Sequence, residues 1–103
     1  MTALTDLASL IPDARERLAN TVRETPVELN QRLTEATGCQ VWLKREDLQP
    51  VRSYKLRGAY NLISQLAPED QQAGVVCASA GNHGQGVAYS AAALGATAVV
   101  YVP

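Results

Sequence analysis

An α/β fold built around parallel strands is what this sequence predicts, and three observations predict it. First, two short apolar runs rich in β-branched residues, 75–78 (Val-Val-Cys-Ala) and 98–102 (Ala-Val-Val-Tyr-Val), suit buried strands. Second, the stretch between them is small-residue loop followed by an alanine-rich helix to about Leu94, with Gly95 beyond it. Third, Val41-Trp42-Leu43 is a further strand candidate, and a helical pattern (Leu56, Ala59, Tyr60, Leu62, Ile63) runs from near Ser53 to before Pro68. Strand, helix, strand, helix and strand at this spacing read as βαβ units. A parallel sheet needs helices on both faces, and 103 residues hold too few to supply them. The expectation is an incomplete N-terminal portion of a larger unit.

The first forty residues read as helices. Leu4, Leu7, Ile11, Ala14 and Leu18 recur at steps of three and four, which makes one helical face apolar. Pro12 cannot sit deep in a helix, so a short helix ends before it and a second starts near it, with Asp13 and Glu16 favouring the first turn. Thr25-Pro26 forces an extended step. A helix from about Glu28 to Thr37 follows, closed by Gly38. The charged run Lys44-Arg45-Glu46-Asp47 then carries the chain into a loop.

Composition narrows the function. The chain is about one small domain long, 47% hydrophobic and 18% charged, with a net charge of -1. That balance gives no reason to expect nucleic acid or anionic lipid as a partner. Cys39 and Cys77 stand far apart with no CxxC and no Cys/His cluster, so neither a metal site nor a disulfide scaffold is predicted. Asp6 and Asp13 lie where a signal peptide needs basic residues, and no stretch approaches the ~20 apolar residues of a membrane helix. A soluble, cytoplasmic protein with free thiols is expected.

Two segments could carry chemistry. Of the two lysines, Lys44 reads as a solvated strand end. Lys55 falls in the first turn of a predicted helix, with Ser53 as its N-cap. The positive end of the helix dipole disfavours an ammonium there, and partial burial between Tyr54 and Leu56 would act the same way. An amine held neutral can attack an aldehyde and later serve as a general base. Ser79-Ala80-Gly81-Asn82-His83-Gly84-Gln85-Gly86 lies between a strand and a helix. Its glycines let backbone approach a ligand, and the free N–H groups of the following helix make an anion site for a carboxylate or phosphate. The order G-x-x-G-x-G matches neither the dinucleotide fingerprint nor the P-loop. His83, the lone histidine, is as readily a structural residue as a ligand contact. Arg52 and Arg57 read as helix-surface or ion-pairing residues, and Glu46 and Asp47 stand where they could order the loop before Lys55.

Together these segments resemble the fold-type II family of pyridoxal-phosphate enzymes, most closely its biosynthetic threonine dehydratases. The matching text is Arg23-Glu24-Thr25-Pro26-Val27, then residues 41–50 (VWLKREDLQP), 53–61 (SYKLRGAYN) and 78–88 (ASAGNHGQGVA). The resemblance implies the tryptophan synthase β-like architecture, with residues 1–46 as N-terminal helices and first strand and 47–103 as the start of the smaller α/β domain. It implies that Lys55 carries pyridoxal 5'-phosphate on its amine. It also implies that Ser79, Gly81, Asn82 and His83 bind the substrate carboxylate, with Asn82 also against the cofactor. The implied reaction is dehydration and deamination of L-threonine to 2-oxobutanoate and ammonia, the first step of isoleucine synthesis, in a homo-oligomer, by family a tetramer. Val51-Arg52 before Ser53, where many relatives carry Thr-Gly, and Tyr60-Asn61 favour the threonine branch. Tyr54 for the commoner phenylalanine and Gly84 for the usual alanine are mild departures. The family's phosphate cradle and its partner for the pyridine nitrogen lie downstream of Pro103, so these residues alone are expected to be inactive. A serine dehydratase or racemase of the same fold and a non-catalytic nucleotide-binding module remain as alternatives.

Overall fold

The computed structural model describes the backbone from residue 4 and side chains from residue 6 to residue 103, so the Leu4 side chain of the expected apolar face lies outside the described residues. Helix α1 (Leu4–Ser9) is followed by α2 (Ile11–Leu18), with Pro12 and Asp13 in the first turn as expected. Proline suits that place because a helix start does not use its missing N–H. Leu18 is buried while Leu7, Leu10 and Ile11 are exposed, so the apolar face is covered mainly at its C-terminal end among the described residues. Arg17 Nε donates to Asn61 Oδ1 at 2.8 Å and ties α2 to the helix that follows Lys55.

Val27–Leu29 forms strand β1, which the sequence reading had assigned partly to a helix. It pairs antiparallel with β2 (Trp42–Lys44), Val27 opposite Lys44 and Leu29 opposite Trp42. Two expectations are corrected here. Helix α3 spans Gln31–Thr37 and not Glu28–Thr37, because the extended step at Pro26 runs on into β1, whose backbone groups are taken up by β2. Asn30 starts α3 by accepting the Leu33 N–H at 2.9 Å, and Gly38 ends it with φ of 72°, the left-handed cap that glycine adopts freely. The second correction concerns β2: it lies in its own two-stranded antiparallel sheet, not beside the parallel strands. Lys44 is exposed, as expected of a strand end, and its Nζ donates to the carbonyl of Thr25.

The parallel unit is β3 (Val75–Ala78), α6 (Asn82–Ala93) and β4 (Ala98–Tyr101), with Val75 beside Ala98 and Ala78 beside Tyr101. Against α6 packs α4 (Lys55–Ile63). The helix expected to end before Pro68 does so, α4 stopping at Ile63, and a further helix that the sequence reading did not assign, α5 (Pro68–Ala73), starts on the proline. The buried hydrophobic residues among those described are Leu18, Val51, Leu56, Ala59, Ile63, Val87 and Ala91, with Val75, Cys77 and Ala98 packed partly against Ala59, Ile63 and Val87. Leu56 is fully buried, a burial that stabilises by about 1.5–3 kcal/mol. Both strands alternate half-buried and exposed, so the runs expected to be buried are covered on one face only among the described residues. The cause is that α4 and α6 share one face, leaving Val76 at 67% and Tyr101 at 66% exposure on the other.

Candidate active site

Lys55 is the first residue of α4. The N-cap is Tyr54, with helical backbone angles and no side-chain capping bond. Ser53, expected as the cap, is buried, and its Oγ receives the Lys55 N–H only at 3.4 Å. The expected partial burial of Lys55 is also corrected: the residue is exposed. The buried stripe of α4 is Leu56, Ala59 and Ile63, at steps of three and four, and Lys55 stands one position off it. Its amine lies 5.2 Å from the centre of the Tyr54 ring, a cation–π contact. The loop into α4 contains Arg52 at φ of 61°, a left-handed conformation that a side chain disfavours.

Ser79 leaves the end of β3, and its Oγ accepts the N–H of Gly84 at 2.9 Å and that of Gly81 at 3.2 Å. Both lone pairs are then engaged while the hydroxyl hydrogen remains free to donate. The N–H groups of Asn82 and His83, at the start of the twelve-residue α6, meet no acceptor among the described residues, and both residues are exposed. Backbone donors with the helix dipole behind them suit a carboxylate. A Cβ at Gly84 would stand 2.9 Å from Val100 Cγ1 and 3.3 Å from Ser79 Cβ, so glycine at this position is matched to the valine of β4 beneath the loop.

The two segments meet through α4 and α6. A Cβ at Gly86 would lie 3.1 Å from the carbonyl carbon and oxygen of Lys55, so only glycine lets α6 approach the lysine's own backbone this closely. Lys55 and His83 both line an open cleft of about 630 Å³, floored by Ile63, Val75, Cys77 and Val87. Ser79, Gly81 and Asn82 form the loop at the head of α6 and do not line that cleft. The donor set fits an aldehyde-bearing cofactor and an amino acid: an exposed primary amine for the aldehyde, and a hydroxyl with free N–H groups for a carboxylate.

One cluster went unassembled in the sequence. Glu46 accepts from Arg57 Nε at 2.8 Å and Nη2 at 2.9 Å, and from Thr25 Oγ1 at 2.6 Å. Gln49, 1% exposed, bridges to Arg23 by accepting its N–H at 2.9 Å and donating to its carbonyl at 2.8 Å. Arg57 bonding lowers the Glu46 carboxyl to about 2 against an opposing effect of burial, with Thr25 and Gln49 adding to the lowering. Asp47 pairs with Arg45 at 2.8 Å instead of turning toward Lys55. The sequence marked Glu46 as a loop-ordering residue and Arg57 as an ion-pairing one, but their spacing across a loop carries no periodic signal that would join them.

Residues 18–103 match the family model described as pyridoxal-phosphate dependent enzyme. The chain belongs to this family. The match takes in both segments just described and displaces the alternative of a nucleotide-binding module. Among curated relatives of this pyridoxal-phosphate enzyme, L-threonine dehydratase biosynthetic IlvA of Mycobacterium leprae is 60% identical over 93 residues, covering 90% of this chain and 22% of that protein. Its namesake in Staphylococcus epidermidis is 55% identical over the same shares. Threonine deaminase isoform 2 from Solanum lycopersicum superposes with a TM-score of 0.84 at 39% identity, over 99% of this chain and 30% of that one. Maize serine racemase gives 0.82 at 35%, over 92% and 30%. The chain thus spans less than a third of the length of the proteins it matches, and the architecture is that of fold-type II enzymes. No described helix is long and apolar enough to cross a membrane, and no group of metal-ligating side chains occurs among the described residues.

Proposed function

We propose that the protein is a lyase that dehydrates and deaminates L-threonine to 2-oxobutanoate and ammonia, with Lys55 holding pyridoxal 5'-phosphate. The observation that supports this reading is the close approach at Gly86, where an exposed lysine at a helix start lies beside the first turns of α6, whose leading N–H groups suit an anion. When bound, the cofactor supplies an electron sink for the charge left by loss of the α-proton. The Lys55 amine would be the base that takes that proton. The Ser79 hydroxyl and the Asn82 and His83 N–H groups would hold the carboxylate, and Asn82 would also help to hold the cofactor. Fixing the carboxylate orients the α-carbon toward the lysine.

The same reading carries residues 47–103 as the start of the smaller domain, a homo-oligomeric, tetrameric assembly, a cytoplasmic location and a place at the head of isoleucine synthesis. A serine-directed enzyme is the second reading, favoured by the similarity to maize serine racemase. The identities of 55% and 60% to threonine dehydratases favour threonine. Incubating the intact protein with pyridoxal phosphate, reducing with borohydride and mapping peptides tests the cofactor lysine. Label on Lys55 is expected, and label on Lys44 alone would sink the assignment. Formation of 2-oxobutanoate from L-threonine, set against pyruvate from L-serine, separates the two substrates.

A further inference from the structure

The first turn of α4 has no capping side chain and no acidic residue of its own, yet it carries Lys55. Such a turn holds position only through neighbours, because its leading N–H groups have no partners within the helix. We infer that Glu46 is a positioning residue for the reaction: through its two-pronged bond to Arg57 it fixes the rotation of α4 and thereby the place of the Lys55 amine. The inference rests on the reading of Lys55 as the cofactor lysine.

The geometry supports it in three ways. Lys55 and Arg57 are two residues apart on the same short helix, so a rotation of α4 that moves one moves the other. A clamp on Arg57 therefore resists turning of α4 about its axis. At the ~5–6 Å radius of a helix's side-chain surface, a turn of about 10° moves the amine by ~1 Å. A misplacement of ~1 Å can lower a rate about 100-fold.

The clamp is also anchored at its far end. The Glu46 side chain is 15% exposed and takes a further bond from Thr25. Gln49 Nε2 lies 3.3 Å from Glu46 Oε2 and locks to the Arg23 backbone in both directions. The carboxylate is thus held by the segment before β1 and the turn before α4 together, and is not a mobile surface group. Helix α6 also comes so near the start of α4 at Gly86 that a Cβ there would lie 3.1 Å from the Lys55 carbonyl, so the turn has a second neighbour besides the clamp. The paired oxygens of Glu46 meet the fork of the guanidinium, a geometry a lysine could not reproduce.

The test uses the intact, cofactor-loaded protein and compares Glu46→Gln, Arg57→Gln, their double variant, Thr25→Val and Asn30→Ala. Turnover of L-threonine, thermal midpoint and the rate of borohydride-trapped labelling of Lys55 are measured for each. Glu46→Gln and Arg57→Gln are expected to lower kcat about 10–100-fold and to slow labelling, with KM little changed. The double variant should be no worse than either single one, since both break the same clamp. Thr25→Val loosens Glu46 without releasing Arg57, so it should lower kcat less than Glu46→Gln does, while a stability control outside the clamp, Asn30→Ala, loses the cap of α3 and should lower the thermal midpoint with kcat at the wild-type level. Should Glu46→Gln not fold, Arg57→Lys, which keeps the charge and loses the fork, carries the same comparison. Losses in kcat that follow the thermal midpoint across all variants, or unchanged kcat and labelling in Glu46→Gln and Arg57→Gln, would overturn the inference. Absence of Lys55 label in the wild-type protein would instead overturn the reading beneath it.

Discussion

Replacing Gly86 by alanine puts a methyl group against the backbone that carries Lys55. The new carbon would lie 3.1 Å from the Lys55 carbonyl carbon and oxygen and 3.2 Å from the Leu56 nitrogen. An ordinary contact begins at about 3.5 Å, so the helices must separate by about 0.4 Å. The three nearest atoms are all backbone, so no side chain can swing aside to relieve them. Nor can α4 retreat freely: Leu56 is fully buried and Arg57 is bonded to Glu46. Helix α6 must move, and the Ser79–His83 loop moves with it. Overpacking of this kind costs about 1–3 kcal/mol, offset by roughly 1 kcal/mol from alanine's better helix propensity. A net loss of about 1 kcal/mol is expected. Gly58→Ala is the control: its Cβ meets nothing within 4 Å, so only the propensity gain of about 1 kcal/mol applies. Denaturant midpoints of the two variants in the intact protein should therefore separate by about 2 kcal/mol, with Gly58→Ala the more stable. The same displacement should reduce kcat/KM of Gly86→Ala for L-threonine about tenfold. Equal midpoints for the two variants, or wild-type kinetics in Gly86→Ala, would refute the close-approach argument.

Two further outcomes follow from single residues. Arg52 holds a left-handed φ of 61°, so Arg52→Gly should raise stability by about 0.5–1 kcal/mol by releasing that strain; a lowered denaturant midpoint would contradict it. The Glu46 carboxyl is depressed from 4.5 to about 2, first by its bond to Arg57. A depressed carboxylate contributes stability above its unfolded value, and that stability is lost as pH falls from 4.5 toward 2. With water reaching Arg57, the contribution is about 1–2 kcal/mol. Glu46→Gln should flatten the fall in thermal midpoint across that acid range, and an unchanged slope would show the pair to be energetically idle.

Much of the local structure was legible because it is written in neighbouring residues. Pro12 at a helix start, Gly38 and Gly95 beyond helix ends, and the small-residue loop from Ser79 all act within a few positions of themselves. The place of Lys55 at the head of a helix was readable for the same reason, and so was the small-residue loop that leads from β3 into α6. The details of exposure were not. Whether Lys55 or Ser53 is buried depends on which face of α4 meets α6, and one step of 100° decides it.

The sequence by itself determined most of the helices, the two parallel strands, the two segments proposed to carry chemistry and the family they resemble. Only the tertiary structure decided that Val27–Leu29 becomes a strand, since a strand of three residues exists only through the partner that takes its hydrogen bonds. Only it removed β2 from the parallel sheet, joined Glu46 to Arg57 across the loop, and set Gly86 against the Lys55 carbonyl. The physical reason is common to all of these. Periodicity and caps are energies between near neighbours and leave a local record, whereas pairing, ion-pair choice and helix approach are energies between distant residues that come into being when the chain packs.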